Sequence, residues 1–199
     1  MSLLVVGIVR SSHPAPAAPL HLVRADPIAA VVRDIEDEAE LGEPDAVQYF
    51  DDLAGLLQGG PVLPVRFGTV AETDEEVFEG VLDLAGDDAV HRLDALDGLV
   101  EVRLRVEPGR AMENQGRAME RLAVAHVVLA TDDDLGLDAF ARAYLIREQD
   151  LGAFDDEVRK VRAALPVTCA MEYVGPLPPF EFVEHELAPR KPARSRWGF

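Results

Sequence analysis

The 199-residue chain predicts an α+β protein made of two small α/β-sandwich domains. Two patterns and one recurrence predict it. Apolar Val100, Val102, Leu104 and Val106 alternate with Glu101, Arg103, Arg105 and Glu107, the period of a half-exposed antiparallel strand. Val77, Phe78, Val81, Leu82 and Ala85 instead repeat at helical spacing. A strand, helix, strand order then recurs in both halves. The expected organisation is an N-terminal α+β domain over residues 1–109, a second domain over 110–188 that opens with a helical connector, and a basic flexible tail over 189–199.

Taken in order, "SLLVVGIV" is β-branched and short enough for a buried strand, and the proline-rich "SSHPAPAAP" ends it. Nothing at this end has the basic n-region or small-residue cleavage site of a signal peptide. "LHLVRAD" and "IAAVVRDI" read as further strands, the second also compatible with helical spacing. From Asp45, the positions Val47, Phe50, Leu53, Ala54 and Leu57 predict an amphipathic helix stopped by "QGGP". Thr73 and Glu76 have the spacing of a capping box that starts the next helix, and a short helix follows over "DDAVHRLDAL". Residues 110–130 hold mostly helix formers, with a last third that also fits a strand. "FARAYLIRE" reads as a strand and "GAFDDEVRKVRAAL" as a helix burying Phe154, Val158, Val161 and Leu165. "VTCAMEYVGP" and "FEFVEHEL" are expected to close the sheet as strands.

Charge narrows the partners. With 37 acidic and 19 basic side chains, the net charge of −18 repels nucleic acid and anionic lipid. No uncharged apolar run approaches the roughly 20 residues that span a bilayer. The single Cys169 makes no internal disulfide and reads as a small core residue of a cytosolic protein. Arg190, Lys191, Arg194 and Arg196 concentrate basic charge in the tail.

Chemistry-bearing patterns are absent. His13, His21, His91, His126 and His185 have no metal-ligand spacing with one another or with Cys169, so neither a metal nor a cofactor is expected. The acidic run at 132–136 lacks the glycine position and final carboxylate of a calcium loop and reads as a solvated turn. No nucleotide-binding glycine motif and no nucleophile elbow occurs, and the acidic pairs fall at helix starts, where they complement the helix dipole. No catalytic residue is assigned.

Two motifs escape helix and strand grammar. In "VLPVRFGTV" these are Leu63, Pro64, Arg66, Phe67, Gly68 and Thr69; in "GPLPPFEF" they are Gly175, Pro176, Pro178, Pro179, Phe180 and Phe182. Pro64 removes a donor from a strand, which places that strand at a sheet edge or at a bulge. Arg66 and Phe67 are expected on opposite faces of the pleat, with Arg66 either engaging a partner or pairing with an acidic neighbour. The prolines of the second motif make a stiff extended connector.

These two motifs, in this order, resemble those of the gas vesicle GvpF/GvpL family, with Leu177 and Phe180 replacing the family's tryptophan and tyrosine. The opening strand, "GLVEVRLRV" and "RAYLIREQDLGAFDDEV" extend the resemblance over most of the chain. It implies a ferredoxin-like C-terminal domain with an antiparallel sheet. It also implies a non-catalytic, cytoplasmic accessory protein of gas vesicle assembly that binds the small hydrophobic shell protein and other assembly factors. The rival expectations are a small-molecule enzyme with an interdomain site using Arg66 and His91, and a general interaction scaffold.

Overall fold

The computed structural model describes residues 2–36, 41–112, 116–129 and 139–186; the basic tail and the 132–136 turn lie outside them. Two compact units emerge, one holding the chain up to Asp97 and again from Val183, the other Gly98–Phe182. The division falls ahead of the break expected near Arg110, because the strand Leu99–Glu107 pairs with strands of the second unit.

In the first unit, strands β1 (Ser2–Arg10), β2 (Leu20–Ala25) and β3 (Ile28–Ile35) precede helix α1 (Glu43–Leu56). Two-residue strands β4 (Leu63–Pro64) and β5 (Val70–Ala71) follow, then helices α2 (Asp74–Val77) and α3 (Asp83–Ala95). The antiparallel sheet has the order β2-β3-β1-β4, with β5 also paired to β1. β1 is buried from Leu3 to Val9, as a strand covered on both faces must be. Leu3, Val5 and Ile8 join Leu82, Ala89 and Leu93 in one apolar cluster, whereas Gly7 faces Leu53 and Val62.

Both helical stretches depart from their expected faces. Thr73 caps α2 by accepting the Glu76 N–H at 3.2 Å, but the Glu76 carboxylate accepts from Glu72 N–H, one residue before the capping-box position. A π-helical turn, Phe78–Leu82, then separates α2 from α3. The buried positions run from Val77 to Leu82, a π-helical spacing, before Ala85, Ala89 and Leu93 resume the α-helical repeat. Phe78, expected inside, is consequently exposed. In α1 the buried residues are Tyr49, Asp52, Leu53 and Leu56, while Val47 and Phe50 are exposed. The apolar arc of this helix covers roughly half its circumference, and periodicity alone cannot choose which part meets the sheet. Asp52 makes the choice by accepting from Arg33 of β3, together with Tyr49 as described below.

The second unit runs β6 (Leu99–Glu107), α4 (Gly116–Glu120), β7 (Ala125–Val128), β8 (Phe140–Arg147), α5 (Leu151–Ala164) and β9 (Ala170–Leu177). All pairs are antiparallel and the order is β7-β8-β6-β9. This β-α-β-β-α-β succession is the ferredoxin-like arrangement. Phe154, Val158 and Val161 of α5 are buried as expected, whereas Leu165 is half-buried. The described residues of the segment 110–130 form two short helical turns and then β7.

Two further expectations are corrected. "FEFVEHEL" does not close the sheet; Phe180–Glu186 forms helix α6. Pro178 and Pro179 have no N–H to extend the ladder, and proline suits a helix start. Cys169 lies half-buried in the turn before β9, its N–H bonded to Pro166 O at 2.9 Å, and not in the core.

The tight passage at Gly7 is testable. A Cβ there would lie 2.9 Å from Val62 Cγ1, 3.0 Å from the Leu63 carbonyl oxygen and 3.3 Å from Leu53 Cδ2. Gly7→Ala is expected to cost about 1–3 kcal/mol in denaturant unfolding, because backbone blocks one side of the new methyl.

Candidate functional site

The first motif leaves the sheet and returns to it. β4 and β5 both pair with β1 at the sheet edge, through Ile8↔Leu63 and Gly7↔Pro64 on one side and Leu4↔Val70 and Leu3↔Ala71 on the other. Between them, Val65 N–H donates to Val6 O at 3.1 Å and Val5 N–H to Thr69 O at 2.8 Å. The strand therefore stays attached at both ends of the excursion while residues 66–68 stand out from it.

Those residues form a turn in which Thr69 donates to Arg66 O twice, through its N–H at 3.1 Å and its hydroxyl at 2.8 Å. Gly68, third of the four residues, has φ +86°, the left-handed value a type II turn demands at that position. Arg66 and Phe67 thus do not alternate across a pleat. The Arg66 carbonyl holds the turn; its side chain is exposed and has no ion pair among the described residues. Leu63 and Thr69 are buried and Pro64 is half-buried.

Tyr49 of α1 anchors the excursion. Its buried hydroxyl donates to Val65 O, and burial holds its phenol well above the ordinary range. Its ring meets Phe67 with centroids 5.4 Å apart and Phe50 at 5.5 Å, edge-on. Phe67 is half-buried, while Phe50 and Val47, one helical turn apart, are 42% and 58% exposed. Motif and helix thereby present an aromatic and aliphatic surface. Tyr49 carries no short motif; its signal was an aromatic with a polar tip inside an apolar helical stretch.

The second motif has a structural use. Gly175 sits at a register shift between β6 and β9 with φ +151°, where a Cβ would meet Val102 Cγ1 at 2.6 Å. Pro176 is exposed, and Pro178 and Pro179 are buried ahead of α6. Phe182 packs with Ala143 and Leu145. Beside it lies Glu101, wholly buried on the face of β6 expected to be polar and exposed. Glu101 accepts from Arg103 Nε at 2.6 Å and from Glu181 N–H at 2.9 Å. Arg103 also pairs with Glu181 at 3.2 Å and lies 5.7 Å from the Phe180 ring centroid. Burial raises the Glu101 carboxyl above the usual glutamate range, against the lowering pull of Arg103. The i, i+2 pairing of Glu101 and Arg103 on one strand face was its only mark in the sequence.

Neither motif assembles reactive groups. His91 is exposed on α3, and no hydrogen bond or ion pair among the described residues joins it to Arg66. A cleft of about 520 Å³ opens between the loop 13–20 and α1, and four of its polar side chains, His13, Arg33, Gln48 and Asp52, are bonded within its walls. His13 ring nitrogens lie 2.8 Å from Pro14 O and 2.9 Å from Leu56 O, and Asp52 takes Arg33 and Gln48. No cluster of three or more His, Cys, Asp or Glu fit to hold a metal occurs among the described residues, and no helix among them is long and apolar enough to cross a membrane.

An α+β architecture with a ferredoxin-like second unit and a turn that exposes Arg66 beside a half-buried Phe67 defines the class. The family model described as gas vesicle synthesis protein GvpL/GvpF matches residues 5–116 and 107–184, and the chain belongs to that family. It is 32% identical over 154 residues to gas vesicle protein F of Streptomyces sp. (strain CB03234), a match covering 72% of this chain and 60% of that relative's length. The fold is shared with the crystal structure of GvpF from Anabaena sp. PCC7120, with TM-score 0.76 and 16% identity over 92% of this chain and 95% of that one. GvpF from Microcystis aeruginosa matches with TM-score 0.73 and 16% identity, over 92% and 98%.

Glu101 gives a prediction with a definite sign. A carboxyl raised above its unfolded value favours folding most at pH below the ordinary glutamate range, and that preference is lost as pH rises through the raised folded value. Urea unfolding across pH should show wild type losing stability relative to Glu101→Gln over that interval. At neutral pH Glu101→Gln should lie within about 1 kcal/mol of wild type, whereas Glu101→Ala should cost about 2–3 kcal/mol by orphaning the Glu181 N–H.

Proposed function

We propose that this protein is a non-catalytic, cytoplasmic accessory factor of gas vesicle assembly that binds the small hydrophobic shell protein and supports its nucleation into a shell. The observation that carries the reading is the Arg66–Thr69 turn of the first unit: an exposed guanidinium, with no ion pair among the described residues, projects from a sheet edge beside a half-buried aromatic backed by Tyr49. Such a surface supplies the aromatic and arginine contacts that dominate protein interfaces. The net charge of −18 keeps a complex with an apolar subunit soluble.

Leu63, Pro64, Gly68 and Thr69 shape this surface, and Arg66 and Phe67 touch the partner. The residues of the second motif, Gly175, Pro176, Pro178, Pro179, Phe180 and Phe182, serve the placement of α6. Other vesicle assembly factors are further partners of the same protein.

Co-expression with the shell protein, followed by affinity capture, tests the reading. Wild type is expected to retain soluble shell protein, and Arg66→Ala to reduce retention roughly fivefold or more at an unchanged melting temperature. Failure of folded wild type to retain shell protein would sink the proposal.

A further inference from the structure

We infer that the outer stripe of α1 is a docking surface for an amphipathic helix with lysine or arginine along its rim, supplied by the shell protein; the identity of that donor rests on the proposed function. Val47, Phe50, Ala54 and Leu57 fall at i, i+3, i+7 and i+10. At 3.6 residues per turn the first three form one continuous line along α1, which Leu57 extends at the helix's C-cap. The inner part of the same apolar arc, Tyr49, Leu53 and Leu56, is already buried in the first unit. The outer line is therefore surplus to the core, with Val47 and Phe50 exposed and Ala54 and Leu57 half-buried.

The geometry selects a helix over a strand. The neighbouring edge offers only the two-residue strands β4 and β5, interrupted by the turn, and Pro64 brings no N–H. Strand addition needs a run of free backbone groups that this edge lacks. An exposed apolar line along a helix instead packs against the apolar face of a second helix.

Charge selects the rim of the occupant. α1 carries Glu43, Asp45, Asp51 and Asp52 and no basic residue. Asp52 is neutralised by Arg33, while Glu43 and Asp51 are exposed. Asp51 borders the stripe and Glu43 lies in line with it at the N-terminal end, so a cationic rim complements them. A second copy of the chain brings another −18 of charge and is disfavoured as the occupant.

Two probes make the test. A synthetic helical peptide with a leucine stripe flanked by lysines is titrated against the full chain by fluorescence anisotropy, beside the same peptide with glutamate for lysine. Wild type should bind the lysine peptide and not the glutamate peptide. The charge-neutral double variant Val47→Ser/Phe50→Ser should bind roughly tenfold or more weakly at an unchanged melting temperature. Glu43→Gln/Asp51→Asn should weaken binding and flatten its salt dependence. Equal lysine-peptide binding by wild type and Val47→Ser/Phe50→Ser, or no binding by wild type, overturns the docking surface. Capture of co-expressed shell protein then separates the two claims. Retention by wild type but equally by Val47→Ser/Phe50→Ser removes the shell protein from the stripe while leaving the proposed function standing, and absence of retention by wild type removes the proposed function.

Discussion

The first unit depends on the buried phenol of Tyr49. One side chain satisfies the Val65 carbonyl, backs the Phe67 ring and meets Phe50, so α1, the sheet edge and the turn share a single anchor. The constraint begins in the backbone. Pro64 brings no donor to the edge, and between β4 and β5 the chain is tied to β1 through the Val65 and Thr69 links. A carbonyl left bare at such a break is costly when buried, and a hydroxyl from the covering helix removes that cost. Because Tyr49 must face inward, the apolar residues on the flank of α1 are turned outward, and the surface assigned to partner binding follows from the same contact.

The second unit solves a comparable problem with charge. β6 lies inside its sheet, between β8 and β9, and its polar face meets the start of α6. Glu101 there has no solvent, yet both of its oxygens are bonded, one to Arg103 and one to the Glu181 amide. A buried carboxylate so satisfied fixes where α6 begins more than it adds net stability. Gly175 belongs to the same arrangement, since β9 approaches Val102 too closely to carry a side chain there. The glycine- and proline-rich "GPLPPFEF" thus ends a strand and starts a helix. No partner is needed to explain it.

Much of this architecture was legible in the residues. Strands with continuous apolar or alternating patterns, such as "SLLVVGIV" and "LVEVRLRVE", lie where the sequence places them, and Thr73 caps a helix as its spacing with Glu76 suggests. The misreadings share one cause: local periodicity reports how much apolar surface an element has, not which neighbour covers it. The wide arc of α1 concealed which half is buried, a π-helical turn shifted the inward positions past Phe78, and alternation in "FEFVEHEL" was overruled by two preceding prolines. Glu101 was hidden because the helix that covers it lies eighty residues further along the chain. At the candidate site, the motif and its glycine were marked by sequence, but Arg66 and Phe67 were expected across a pleat and lie in a turn, and Tyr49, its anchor, carried no motif at all.

The most direct measurement is amide hydrogen exchange on Tyr49→Phe, which keeps the ring and removes only the hydroxyl. If Tyr49 anchors the excursion, the amides of Val65 and Thr69 exchange markedly faster in the variant, while those of β6 and β8 in the second unit keep their wild-type protection. Unchanged protection at Val65 and Thr69 in a folded Tyr49→Phe chain would contradict the account, leaving the turn held by its own backbone and by β1 alone.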